Sequence, residues 1–245
     1  MEHCATDLGG LGSLLGADIP GRSFKAAARQ NCDYVDWYPV VADLAVSGDL
    51  GFTAGPWACS LAGAGAGAQI QGHYLTVWKR DEGCDWQVQF DTGVSNPAPA
   101  EAEPRLSSGS APLGRITPPP QPAADAAVSQ AITDFQSTAG QDGIAAALRT
   151  YARTRDFRFY TDTRAPMGLA DANQYFTDQP ILVTCEEQSR MRSADSTLAY
   201  CGGVFTDVRR RSRHAYAQIW QYEPRVANWG LRVLLINSLS PPMSN

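Results

Sequence analysis

Hydrophobic and polar positions follow the same order of elements in two separate stretches of the chain. Residues 42–94 read ADLAVSGDLGFTAGPW, then a Gly/Ala run, then GHYLTVWKRDEGCDWQVQFDTGV. Residues 187–239 read EQSRMRSADSTLAYCGGVFTD, then a basic run, then RHAYAQIWQYEPRVANWGLRVLLINSL. Each stretch predicts a strand ending in a small-residue turn, a second strand ending in Val-Trp or Ile-Trp, a short polar loop, and a last strand that opens with Trp. Trp78 matches Trp220, Tyr74 matches Tyr216 and Trp86 matches Trp229. A repeat this long predicts two globular units of one fold rather than a solenoid.

Helical spacing precedes the second stretch. Val128, Ile132 and Phe135 share one apolar face, and Ile144, Leu148 and Tyr151 continue at the same spacing after an interruption at Gly140 to Gly143. A short strand over 157–160 and a short helix over 168–176 (GLADANQYF) follow. In the first stretch PGRSFKAAAR, residues 20–29, matches that short helix, with Gly21 opposite Gly168, but only a Gly-rich segment lies upstream. The first copy therefore lacks its leading helix. Between the copies PAPAEAEP, SSGSAPLG and TPPPQP form a Pro/Ala/Ser-rich stretch that cannot bury a core. The predicted boundaries are a first domain over 1–96, a linker over 97–124 and a second domain over 125–240.

Composition narrows the function classes. The 245 residues are 44% hydrophobic, enough for a core in each half, and carry a formal charge of −5. That balance argues against a nucleic-acid face. The single basic cluster, Arg209, Arg210, Arg211 and Arg213, lies between two strands and reads as a solvated hairpin loop. No apolar run is long enough to span a membrane. Residues 1–21 show no secretory leader pattern. The expected compartment is the cytoplasm, or the periplasm or exterior if a leader lies upstream. Six cysteines occur without a C-x-x-C pair, which leaves disulfides and buried free thiols both open.

Two sets of residues invite a chemical reading. Pairing Trp78 with Trp86 across the hairpin would set His73 opposite Asp91, on one face. A carboxylate there would orient the imidazole for proton transfer. The plain alternative is a polar pair on the outer or domain-facing side of the sheet. The second set is aromatic: Trp37, Tyr38, Trp57, Tyr74 and Trp78, with Tyr200, Tyr216 and Trp220 in the second copy. These could line a pocket for a flat apolar ligand, or form ordinary sheet core. No phosphate-binding Gly loop, G-x-S-x-G elbow or H-E-x-x-H motif occurs, so no cofactor and no metal is expected.

SGDLGFTAGPW followed by GHYLTVWKRD and DWQVQFDTG resembles the nuclear-transport-factor-like superfamily, in particular its ketosteroid-isomerase-like and SnoaL-like domains of unknown function. The resemblance is sharper over 20–94. Over 126–239 the motif departs, with SADSTLAYCGG in place of SGDLGFTAG and Leu234 or its neighbour in place of Asp91. It implies an α+β fold of two tandem cone-shaped domains, each a curved antiparallel sheet with helices on its concave side. It also implies sheet-to-sheet packing, here as an intramolecular pseudo-dimer, with or without further homodimerisation. Members of the superfamily include isomerases, polyketide cyclases, dehydratases, epoxide hydrolases and many proteins with no known activity, so fold alone names no reaction. Two function classes follow. One is a cofactor-free acid–base enzyme, isomerase, lyase or cyclase, acting on a small hydrophobic molecule with His73 and Asp91 in the first cone. The other is non-catalytic: a binder of a small apolar or aromatic ligand, or a pseudo-dimeric protein-interaction domain.

Overall fold

The computed structural model describes residues 32–61, 69–106, 123–153, 156–224 and 226–239. They form two sheets. In the first, β1 (Cys32–Trp37), β3 (Leu50–Leu61), β4 (Gln69–Lys79) and β5 (Gln87–Ser95) are antiparallel neighbours in that order, and β2 (Val41–Leu44) pairs with the other end of β3. The chain bends from β1 to β2 at 38–40, where the Tyr38 carbonyl presses on Gly55. A Cβ on Gly55 would lie 2.0 Å from that oxygen, so the bend requires glycine there. The helix predicted over 20–29 lies outside the described residues.

The second sheet has six strands in the order β7-β6-β11-β10-β9-β8. They are β6 (Arg158–Thr161), β7 (Arg164–Met167), β8 (Val183–Arg192), β9 (Leu198–Asp207), β10 (Arg213–Glu223) and β11 (Asn228–Ser238). Neighbours are antiparallel except β6 and β11, which run parallel, so the expectation of a purely antiparallel sheet is corrected at this one pairing. The physical reason is connectivity: β6 arrives from helices on the sheet face and joins the edge of β11 rather than turning back from it. Those helices are α1 (Ala123–Gln141), α2 (Ile144–Tyr151) and α3 (Leu169–Asp178).

Alternation sorts the second sheet into two buried faces. Phe159, Phe205, Tyr216, Trp220, Leu234 and Ile236 meet Ile132, Phe135, Leu148 and Phe176 of the helices. Tyr160, Tyr200, Ala217, Ile219, Val233 and Leu235 meet Phe52, Leu75, Val77, Phe90 and Val94 of the first sheet. Covered on both sides, β9 and β10 are buried almost continuously rather than on alternate residues.

The matched tryptophans occupy matched positions. Gly51 pairs with Trp78 and Ala199 with Trp220; Trp78 pairs with Val88 and Trp220 with Leu231. The register slips at Val77/Trp78 in one sheet and at Ile219/Trp220 in the other. The turns before β3 and β9 also share a hydrogen-bond pattern. Ala45 N donates to Leu50 O at 2.8 Å and Gly48 N to Ala45 O at 2.9 Å; Ser193 N donates to Leu198 O at 2.9 Å and Ser196 N to Ser193 O at 3.0 Å. Gly48 and Ser196 both take positive φ, 68° and 50°.

These two turns touch each other reciprocally. Val46 N donates to Thr197 Oγ1 at 3.1 Å, Ala194 N donates to Asp49 Oδ2 at 2.9 Å, and Ser47 N donates to Asp195 Oδ2 at 2.6 Å. In the alignment set by the turns, Val46 corresponds to Ala194 and Asp49 to Thr197. The first two bonds are therefore mates across a local two-fold, the pattern of an isologous contact.

Residues 96–106 are irregular, as the Pro/Ala composition predicts, yet they are not simply solvated. They run back over the first sheet. Leu106 N donates to Pro39 O at 3.1 Å, Tyr38 Oη donates to Glu103 O at 3.2 Å, and the Arg105 guanidinium lies 4.0 Å from the Tyr38 ring centre. Polar side chains in the strap, invisible to a compositional reading, are what dock it.

Candidate functional site

A cavity of about 180 Å³ opens between the helix-covered face of the second sheet and the ends of α2 and α3. Its wall is apolar, formed by Phe159, Phe176, Phe205 and Ile236, and its rim is polar. Beyond Phe205 the aromatic packing continues under the helices. Tyr216 stacks on Phe205 at 3.9 Å, and Trp220 sits edge-on to Phe135 and Tyr151.

The rim follows from the β9–β10 turn. Asp207 ends β9, and its carboxylate accepts from Arg209 N at 2.8 Å, Arg210 N at 2.9 Å and Arg210 Nη1 at 3.0 Å. Burial alone would raise the Asp207 pKa, but the two backbone donors and the guanidinium outweigh it and hold the carboxyl below its usual range. Arg211 takes a φ of 61° and returns the chain into β10. Period-two alternation then puts Ser212 and His214 on the cavity face. His214 Nε2 lies 2.9 Å from Ser212 Oγ, and Nδ1 lies 3.3 Å from Ser238 Oγ. Burial lowers the His214 pKa, and Arg210 adds to this, against opposing contributions from Asp162 and Asp207. The ring is held neutral between two hydroxyls.

That shift has a sign. A histidine whose folded pKa is depressed leaves the unfolded chain binding more protons, so stability is full above its ordinary value of 6.5 and falls as pH drops through it. Asp207 acts in the same sense at lower pH. The protein should lose stability between pH 7 and 5, and His214→Gln should flatten that slope. Equal slopes for the two proteins in urea titrations across this range would show that His214 does not contribute.

The structure does not bring the sequence-predicted pair together. His73 lies opposite Val94, and Asp91 lies opposite Thr76, from whose hydroxyl it accepts at 2.7 Å. The hairpin turn is longer than the Trp78–Trp86 pairing assumed, which moves the register by two and keeps the face. The bulge at Val77/Trp78 adds one more residue and reverses the face. His73 therefore points toward the second sheet and Asp91 away from it, and no dyad forms.

His73 has a different carboxylate partner. Its Nε2 lies 2.8 Å from Glu103 Oε2 and its Nδ1 lies 2.8 Å from Asn96 Oδ1, while the ring stacks on Tyr160 at 5.3 Å. Asn96 Nδ2 donates to Thr161 O at 3.0 Å, which turns its oxygen to the histidine. Both ring nitrogens are thus engaged by side chains. A cavity of about 150 Å³ borders this cluster, beside Tyr38, Trp57 and Asp36, but both His73 nitrogens are already engaged. Sequence reasoning missed Glu103 because it lies in the Pro/Ala strap; its acidity within that stretch is a weak signal.

The predicted aromatic set is dispersed. Trp37, Trp57 and Tyr74 cluster with Cys59 on the face of the first sheet turned away from the second, and burial pushes the Tyr74 phenol up to about 12. Trp78 Nε1 donates to Thr53 Oγ1 at 3.0 Å. Tyr38 belongs to the strap contact. Tyr200 packs between the sheets, and Tyr216 and Trp220 lie under the helices. None of these eight lines the larger cavity. Tyr200, Tyr216 and Trp220 are core because each sits on a face that another layer covers.

Cys59 and Cys84 each take part in a disulfide, at opposite ends of the β3–β4 ladder, whereas Cys185 and Cys201 are free thiols whose pKa burial raises to about 12, which suits packing rather than nucleophilic attack. Among the described residues, no three His, Cys, Asp or Glu side chains gather as a metal site would require.

No family model matches the sequence, and no curated protein matches it. Solved structures do resemble it in fold. A protein of unknown function from the DUF3225 family of Pectobacterium atrosepticum is 16% identical, with a TM-score of 0.39 over 49% of this chain and 94% of its own. Nuclear transport factor 2 from Cryptosporidium parvum is 12% identical, with a TM-score of 0.38 over 50% of this chain and 99% of its own. A nuclear-transport-factor-2-like protein of unknown function from Shewanella oneidensis is 7% identical, with a TM-score of 0.38 over 46% and 98%.

Proposed function

We propose that this chain is a small-molecule-binding module made of two tandem copies of one unit, 1–96 and 125–240, packed sheet to sheet as an intramolecular pseudo-dimer. The reciprocal contact of the two turns supports the pseudo-dimer. The observation that carries the binding reading is the cavity of about 180 Å³, apolar along its wall and polar at its rim. An engineered apolar cavity of about 150 Å³ accepts benzene, so this one suits a single ring with a short polar arm. In this reading the second copy, rather than the first, binds ligand. Calorimetry with 3-phenylpropan-1-ol tests it. Binding is expected, and Ile236→Phe, which fills the wall, should abolish it while His73→Asn leaves it intact. Binding that survives Ile236→Phe unchanged would place the ligand elsewhere.

A second reading is acid–base catalysis at the same cavity, supported by the neutral imidazole of His214 at the rim near Asp162. A base of this kind contributes roughly 10²–10⁴-fold to turnover. In that case His214→Ala should remove turnover of a substrate and retain its binding; unchanged turnover rejects His214 as the base.

A further inference from the structure

We infer that the basic turn between β9 and β10 makes the cavity selective for an anionic amphiphile, a small aryl or short-chain carboxylate, with Arg210 holding the head group. This rests on the pocket reading above. Arg209, Arg210, Arg211 and Arg213 are all exposed at this turn, and Arg210 borders the cavity. Its guanidinium does not swing freely, because Asp207 Oδ2 accepts from Nη1 at 3.0 Å.

The rim carboxylates Asp162 and Asp207 offset part of this charge but are themselves engaged. Asp207 is 1% exposed and its charge is met by two backbone N–H groups and Arg210 itself. Asp162 accepts from Ser238 N at 3.0 Å and from Thr161 Oγ1 at 3.3 Å. A cationic head would approach Arg210 at the rim of a turn that carries three further exposed arginines. A carboxylate would meet the planar fork of Arg210, which matches its two oxygens, with the hydroxyls of Ser212 and Ser238 beside it. The carbon skeleton would lie against Phe159, Phe176 and Phe205.

The experiment is calorimetry on the full chain with 3-phenylpropanoate and 3-phenylpropan-1-ol, which share one carbon skeleton and differ in the charge of the head. The acid should bind roughly tenfold tighter at low salt, the scale of a hydrogen bond to a charged group. Raising the salt should narrow the gap. Arg210→Gln should weaken the acid alone, and the exposed triple variant R209Q/R211Q/R213Q should reduce its salt dependence. Equal affinities, or a tighter alcohol, would overturn the inference and leave the pocket reading standing. Arg210→Gln weakening both ligands equally would also overturn it, because the arginine would then only shape the turn. Binding of neither ligand would overturn the pocket reading and this inference with it.

Discussion

Tyr200→Ala should lower the stability of the whole chain by about 3–5 kcal/mol, the range for deleting a large buried aromatic side chain. Tyr200 is 0% exposed and packs on Phe90 of the other sheet at 4.6 Å, with its hydroxyl accepting from Ser189 Oγ at 3.2 Å. The truncation removes the ring from the layer that both sheets share, so the loss falls on both. For a chain of this size each kcal/mol moves the melting temperature by roughly 2–4 °C. The drop should therefore be near 10 °C, in one transition seen alike by tryptophan fluorescence and circular dichroism. Two transitions, one of them at the parent temperature, would mean that the sheets do not depend on each other.

The second large effect is expected at Glu103. Removing one partner of a buried hydrogen bond leaves the other polar group unsatisfied, at about 1–3 kcal/mol. The side chains of His73 and Glu103 are 2% and 14% exposed and meet at 2.8 Å, so Glu103→Ala should cost about 2–3 kcal/mol. The neighbouring Arg105–Asp36 pair is 63% and 45% exposed, and Arg105→Ala should cost well under 1 kcal/mol. Thermal unfolding compares the two directly. Limited proteolysis adds a local readout, since Glu103→Ala should expose residues 97–106 to cleavage. Equal, small effects for both variants would show that the strap gains nothing from His73.

Local strand features were legible in the sequence. Trp78 and Trp220 occupy matched positions, and the turns before β3 and β9 share their hydrogen bonds, because these features arise from local period-two patterning and small turn residues. The helices over 123–141, 144–151 and 169–178 were readable for the same reason, from apolar spacing along a few turns. The site was not. His73 and Asp91 were separated by a single bulge residue, which no alternation pattern announces and which reverses a face.

Sequence alone determined which residues alternate and where most of the strands and helices lie. Tertiary structure decided which buried face became interface and which became cavity. It also decided that Glu103 answers His73 across 30 positions and that Arg210 turns toward the open end of the second sheet. The division has one physical cause. Alternation and capping are set by neighbours along the chain, whereas a charge pair or a cavity exists only once layers distant in sequence have packed, and the free energy that selects it belongs to those layers together.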